Sequence, residues 1–160
     1  MKQEEEIFNS MASYCSQAER CVQDVRKKMK YTDLTEEEKQ KIIERLKQEN
    51  FINEKRFSRS FVADKFRLNQ WGRIKICYEL KQKNIAHEIY YEALELIDEK
   101  EYLSVLEKLL IGKKRSVKGS PNEMFQKIYR FASSRGFESN LIIDTLKKII
   151  KDADDIEVIE

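Results

Sequence analysis

The chain has 160 residues, of which 38% are charged and 41% apolar, and it contains one proline and four glycines. This composition, poor in turn-forming residues, favours helices over many short strands. The net charge of +2 is too small for charge alone to drive tight binding to nucleic acid.

Charge is unevenly distributed along the chain. Residues 1–50 carry 10 Lys or Arg and 11 Asp or Glu, residues 51–136 carry 18 and 11, and residues 137–160 carry 3 and 7. The basic middle indicates a negatively charged partner. Three cysteines without C-x-x-C spacing, no apolar leader and no run long enough to cross a membrane lead us to expect a cytoplasmic protein.

Nine segments carry apolar residues at helical spacing. Thr35 and Glu38 form a capping box before the third segment, and Asn53 and Ser120 are expected to cap the fourth and eighth helices. Asn84 is expected to take a left-handed conformation after the fifth helix. The predicted helices cover roughly residues 4–19, 21–30, 35–49, 54–68, 72–83, 86–97, 99–111, 121–135 and 138–151.

The segment G-K-K-R-S-V-K-G-S-P at residues 112–121 contains two of the four glycines and the only proline, which predicts a linker. Apolar positions coincide when the chain is shifted by 51 residues and then by 66. We therefore predict an all-α, elongated tandem array of three related three-helix units. The predicted parts are units 1–52 and 53–111, a basic linker 112–120, and a unit 121–160 ending in an acidic tail.

Three passages carry a family resemblance. They read F-I-N-E-K-R-F-S-R-S-F-V at 51–62, W-G-R-I-K-I-C-Y-E-L-K-Q-K-N-I at 71–85 and I-Y-R-F-A-S-S-R-G-F at 128–137. Together they resemble motifs of the RecX family of bacterial regulatory proteins, and the middle passage, similar to Gly-x-x-Arg-Ile-x-x-Glu-Leu-x-x-Lys-Gly-Ile, is the most specific. Asn53, Lys55, Ser58 and Asn84 differ from the residues usual in the family at those places.

The resemblance implies a non-enzymatic regulator without cofactors, which binds RecA filaments on single-stranded DNA. It would lower recombinase, ATPase and co-protease activity, and so act in DNA repair, recombination and the SOS response, as a cytoplasmic monomer. Direct contact with DNA stays open.

The residues agree with a protein that is not an enzyme, since His87 is the only histidine and no G-x-x-x-x-G-K-[ST] phosphate loop is present. Alternatives are a helical-repeat adaptor that binds peptides and a nucleic-acid-binding protein. The shifts of 51 and 66 weigh against the adaptor, whose repeats are typically near 34 residues.

The candidate partner-binding or DNA-binding residues are basic side chains of the middle region, because arginine and lysine contact carboxylates and phosphates. They are Arg67, Arg73, Lys75, Lys81, Lys83, Lys113, Lys114, Arg115, Arg130 and Arg135. Several aromatic residues lie among these cations, but they occupy the repeated apolar positions, so core packing is favoured over base stacking. The predicted core residues are Phe57, Phe61, Phe66, Trp71, Ile76, Leu80, Phe131 and Phe137.

Overall fold

A computed structural model describes residues 2–150, and within this range every regular element is a helix. The predicted all-α class is therefore confirmed. The predicted acidic tail lies outside the described residues. The helices are α1 Lys2–Gln17, α2 Val22–Lys28, α3 Glu36–Gln48, α4 Glu54–Arg67, α5 Arg73–Gln82, α6 His87–Glu95, α7 Glu99–Lys114, α8 Pro121–Ser134 and α9 Ser139–Ile149.

The predicted helix caps are present. The Thr35 hydroxyl accepts the Glu38 N–H at 3.2 Å, and the Glu38 carboxylate accepts the Thr35 N–H at 2.9 Å. The Asn53 side chain accepts the N–H three residues along at 3.0 Å, and the Ser120 hydroxyl accepts the Glu123 N–H at 3.2 Å. These bonds satisfy amide groups that have no acceptor inside a helix, which fixes where α3, α4 and α8 begin.

Helix α7 differs from its prediction, because it continues through Gly112 to Lys114 and takes in the first residues of the predicted linker. Lys113 and Lys114 stabilise this extension, since cations favour the last turn of a helix. The Lys114 ammonium also donates to the Ile149 carbonyl at 2.6 Å, at the end of α9. A glycine inside a helix costs about 1 kcal/mol, and these contacts help to offset it.

Three helices end on a non-glycine residue with positive φ. Asn84 has φ 58°, as predicted, and Asn50 and Gln70 have φ 62° and 57°. After Asn84 the Ile85 N–H reaches back to the Leu80 carbonyl at 3.2 Å, which is the bond that a left-handed residue permits at a helix end. Asparagine adopts this conformation readily, whereas glutamine does so at a cost.

Contacts divide the chain into two compact units, Met1–Phe61 with Leu80–Ala93, and Val62–Glu79 with Leu94–Glu160. Helices α4, α5 and α6 each contribute to both. The predicted boundaries of three units at 52, 111 and 120 stay a prediction. We call the two observed parts the first and second compact units.

Each compact unit has its own apolar core. In the first, Phe8, Met11, Val25, Ile43 and Leu46 of α1–α3 are almost fully buried. In the second, the buried side chains of α7, α8 and α9 pack together with residues of α4 and α5. They include Phe66, Tyr102, Leu106, Leu110, Phe125, Ile128, Phe137, Ile142 and Leu146.

Five of the predicted core residues are buried, namely Phe57, Phe66, Ile76, Leu80 and Phe137. The other three, Phe61, Trp71 and Phe131, are only partly buried. Cationic side chains lie over the exposed part of each of these three rings. Long cationic side chains cover aromatic surface while their charged ends stay in water, so these positions differ from a fully apolar core.

Candidate partner-binding surface

Two turns meet in the second compact unit, the α4–α5 turn and the α8–α9 turn. The Gly72 N–H donates to the Arg135 carbonyl at 2.8 Å, and the Ile74 N–H donates to the Gly136 carbonyl at 3.0 Å. A Cβ atom at Gly72 would lie 2.4 Å from the Gly136 carbonyl, so glycine is needed for this close backbone approach. The contact brings residues 65–75 and 131–137 together, although 66 positions separate Asn69 from Arg135.

Trp71 in the first of these turns has two lysines over its ring. The Lys75 ammonium lies 4.3 Å from the ring centroid and the Lys65 ammonium 4.8 Å. The turn itself brings Lys65 close, because the Trp71 N–H donates to the Lys65 carbonyl at 2.9 Å. These contacts fix two positive charges beside a partly exposed aromatic ring.

Phe131 on α8, beside the second turn, also has two cations over its ring, as Trp71 does. The Lys113 ammonium lies 4.7 Å and the Arg135 guanidinium 5.0 Å from its ring centroid. Arg135 also donates to the Asn69 carbonyl at 3.0 Å, which links Phe131 to the α4–α5 turn. We call these residues together the basic–aromatic surface: Lys65, Trp71, Lys75, Lys113, Phe131 and Arg135.

Arg73 has a different environment from the basic–aromatic surface. Its guanidinium pairs with Glu138 at 2.8 Å and with Glu99, and it lies 3.8 Å from the Tyr102 ring centroid. The Tyr102 hydroxyl accepts the Arg73 N–H at 3.0 Å and donates to Glu138. Partial burial opposes the charged guanidinium, but the hydrogen bonds to Glu138 and Glu99 raise the pKa of Arg73 above its usual value. Arg73 thus joins α5, α7 and the start of α9.

Tyr102 is the buried centre of that group. Its side chain is fully buried and its ring packs against Phe66 and Phe137, at centroid distances of 5.7 and 5.3 Å. Burial raises the pKa of the Tyr102 hydroxyl, and its hydrogen bond to Glu138 adds to the effect. The hydroxyl therefore stays protonated and serves as both donor and acceptor in the core.

Two further predicted residues also have carboxylate partners. Arg67 lies 3.3 Å from Glu101 within the second compact unit. Lys83 lies 3.5 Å from Asp24 within the first compact unit. Both pairs leave donor hydrogens unused, because a guanidinium carries five N–H groups and an ammonium three.

The remaining predicted residues are more open. Arg130 donates weakly to the carbonyl four residues before it, at 3.4 Å, and Lys81, Arg115 and Arg130 are exposed. Lys114 is occupied by the end of α9, as described above. The structure therefore brings Lys75, Lys113 and Arg135 together and does not gather the whole predicted set into one place.

The sequence prediction missed Lys65 and the carboxylates of Glu99 and Glu138. The six-residue spacing from Lys65 to Trp71 could have indicated the role of Lys65. A left-handed residue at Gln70 lets the Trp71 N–H reach back to the Lys65 carbonyl. No local signal pairs Arg73 with Glu138, because 65 positions separate them. Only the tertiary structure, which places Arg73 of α5 next to the residue before α9, decides that contact.

Neither a metal site nor a membrane span is present among the described residues. No group of three or more His, Cys, Asp or Glu side chains there could hold a metal ion, and no helix is long and apolar enough to span a membrane. All three cysteines are unpaired; Cys15 and Cys21 are buried. Burial raises the pKa of the Cys21 thiol to about 11, which disfavours the reactive thiolate.

Comparison with known proteins gives a consistent family match. The model for the RecX second three-helix domain matches residues 53–94. The Regulatory protein RecX of Prosthecochloris aestuarii is 30% identical over 145 residues, which are 89% of this chain and 93% of that protein. The Regulatory protein RecX of Clostridium botulinum (strain Eklund 17B / Type B) is 32% identical over 129 residues, 79% of this chain and 60% of that longer protein.

Solved structures match the fold. The crystal structure of RecX from Lactobacillus salivarius superposes with a TM-score of 0.81 over 92% of this chain and 97% of that one, at 23% identity. A second crystal structure, of a regulatory protein RecX, has the same TM-score at 24% identity over 94% of this chain and 73% of that one. At this level of identity both comparisons bear on the helical fold alone.

Proposed function

The chain belongs to the RecX family of regulatory proteins, and on that premise we propose that it binds RecA filaments on single-stranded DNA and lowers their activity. The observation that carries the proposal is the 30% identity shared with a Regulatory protein RecX over 89% of this chain. The regulator acts by binding, without a cofactor and without chemistry of its own. ATP hydrolysis, strand exchange and co-protease action of the filament all decrease, which connects the protein to repair, recombination and the SOS response in the cytoplasm.

The basic–aromatic surface supports this proposal physically. A RecA filament offers phosphates of its DNA and carboxylates of its protein, and both attract cations. Lys75, Lys113 and Arg135 hold their charges against aromatic rings instead of against carboxylates. These three are the main contacts in our proposal. The exposed Lys81, Arg115 and Arg130 and the exposed edge of Arg67 are additional contacts.

The direct test measures ATP turnover by RecA on single-stranded DNA while this protein is added. We expect inhibition that grows with concentration and begins below one molecule per RecA. A flat response over a wide concentration range would remove the proposal. The protein alone, incubated with ATP and DNA, is expected to produce no turnover.

A neutralised variant tests the surface. Changing Lys75, Lys113 and Arg135 together to glutamine should raise the half-inhibitory concentration about tenfold, because three ion contacts with the partner of about 0.5 kcal/mol each give about 1.5 kcal/mol. The matched control removes the same charge from exposed lysines elsewhere in the second compact unit. Its substitutions are Lys108→Gln, Lys147→Gln and Lys148→Gln.

The two triple variants must first show the same helical circular dichroism as the unmodified protein. If both variants inhibit as well as the unmodified protein, the basic–aromatic surface is not the contact, although the family function stands. If the control loses as much inhibition as the first variant, total charge matters and the particular surface does not.

A further inference from the structure

A second basic and aromatic region lies in the first compact unit, at the turn between α2 and α3. Tyr31 in this turn is 90% exposed, more than any other large apolar or aromatic side chain in the described chain. The residues before it are Arg26, Lys27, Lys28 and Lys30. Four cationic residues are therefore followed directly by an exposed tyrosine ring.

Packing determines why these side chains face outwards. Val25 and Met29 lie four residues apart on one side of the α2 end, and both are fully buried. Leu34 is buried just after the turn. Because buried residues anchor the chain before and after the turn, the side chains between them face solvent. Those of Lys27, Lys28, Lys30 and Tyr31 are all exposed. The exposure of Tyr31 therefore follows from the anchoring of the turn on both sides.

Two of the three lysines, Lys28 and Lys30, have aromatic neighbours. The Lys30 ammonium lies 5.5 Å from the Tyr31 ring centroid, and the Lys28 ammonium lies 5.1 Å from the ring centroid of the partly buried Tyr14. None of Lys27, Lys28 and Lys30 forms an ion pair within residues 2–150, whereas the neighbouring Arg26 is paired with Glu36 at 3.4 Å. Their charges are therefore available to a partner.

A local reason explains part of this arrangement. Cations favour the C-terminal turn of a helix, and α2 ends at Lys28 with Arg26 and Lys27 in its last turn. That effect accounts for Lys27 and Lys28. It does not account for Lys30, which lies beyond the helix, or for a tyrosine ring held out in water beside it.

We propose that the turn formed by Lys27, Lys28, Lys30 and Tyr31 binds single-stranded DNA. The lysines contact successive phosphates, and the Tyr31 ring stacks on an unpaired base, which is how single strands are bound without reading their sequence. An acidic protein would neutralise the lysines equally well, but an unpaired base next to a phosphate matches the ring and the lysines together. A duplex keeps its bases stacked on each other, so the ring favours a single strand. The choice of DNA over RNA rests on the proposed function.

The experiment uses the full chain without RecA, so its result is independent of the inhibition assay. Binding to a fluorescent oligothymidylate is followed by anisotropy at several salt concentrations. Tyr31→Ala should weaken binding about 5- to 150-fold, the range found when a stacking aromatic is removed. Tyr31→Phe keeps the ring and should bind within about twofold of the unmodified protein. Because Tyr31 is 90% exposed, both variants should fold normally.

The lysines have a separate signature. Changing Lys27, Lys28 and Lys30 to glutamine should reduce the slope of log affinity against log salt by about 2, since each single-strand phosphate contact contributes about 0.7. The matched control for charge is the triple Lys108, Lys147 and Lys148 variant. The control for the ring is Tyr91→Ala, an exposed tyrosine of α6 that has Glu88 and Glu92 near it in sequence.

Three results would overturn the proposal. One is unchanged affinity in both Tyr31→Ala and the Lys27, Lys28 and Lys30 variant. Another is equal loss of affinity in the control variants. The third is displacement of the oligonucleotide by polyglutamate at the same charge concentration, which would assign the turn to an acidic protein. If the protein binds DNA as predicted but never inhibits RecA, the proposed function fails and the DNA site remains.

Discussion

Replacing Arg73 by alanine separates a structural role from a role in partner binding. In the structure its guanidinium pairs with Glu138, and the two side chains are only 26% and 25% exposed. Removing it leaves the Glu138 carboxylate with the Tyr102 hydroxyl as its one remaining partner in this group. We therefore expect Arg73→Ala to lower the stability of the second compact unit and to leave the basic–aromatic surface chemically intact.

The magnitude follows from the two carboxylates. The pair with Glu99 contributes about 0–1 kcal/mol, because the Glu99 side chain is 62% exposed. The largely buried hydrogen bond to Glu138 is charged on both sides and contributes about 1.5–3 kcal/mol. The expected loss of unfolding free energy is about 1.5–4 kcal/mol, which lowers the melting temperature of a chain of this size by about 3–16 °C.

Thermal unfolding measured by calorimetry is the assay, with RecA inhibition measured well below the transition. Arg67→Ala is the matched control, because Arg67 is also paired with a glutamate but is 64% exposed, so the expected loss is about 0–1 kcal/mol. The double variant Arg73→Ala with Glu138→Gln should lose less unfolding free energy than the two single variants together. The reason is that Glu138→Gln removes the charge that Arg73→Ala leaves unpaired. The reasoning is refuted if the Arg73→Ala variant has the melting temperature of the unmodified protein and yet loses inhibition. That result would make Arg73 a contact residue.

Two further predictions concern the core side of α4 and the backbone of the α4–α5 turn. The hydroxyl of Ser58 is fully buried and has no hydrogen-bond partner among the described residues, so Ser58→Ala should raise stability by about 1–2 kcal/mol in urea unfolding. Ser60→Ala is its control, and a loss of stability in Ser58→Ala would contradict the argument. Gln70 has φ 57°, so Gln70→Gly should stabilise by about 1 kcal/mol. Asn69 does not have a positive φ, so Asn69→Gly should not stabilise the protein. Equal gains in stability from the two substitutions would refute the conformational explanation.

Features that depend on residues a few positions apart are predictable from the sequence. The capping box at Thr35, the cap at Ser120 and the left-handed Asn84 were all predictable, because each depends on hydrogen bonds spanning three to five residues. The end of α7 was not predicted. Its stop depends on Lys114 reaching the carbonyl of Ile149, 35 positions away.

The basic turn at Tyr31 is only partly predictable from the sequence. Residues 1–50 have a net charge of −1, and that average conceals four cations within residues 26–30. A shorter window reveals the cations, but their exposure depends on the burial of Val25, Met29 and Leu34. Charge is visible in a sequence, whereas availability of that charge depends on what the neighbouring side chains contact.

By itself the sequence determined the helical class, most helix boundaries, the family and the set of basic residues from which a binding surface could be drawn. Only the tertiary structure decided which of those basic residues are available. Arg73 and Lys75 are two positions apart, yet one pairs with Glu99 and Glu138 and the other lies over Trp71. The physical reason is that helical periodicity acts over four residues, whereas an ion pair depends on atoms meeting across 26 or 65 positions.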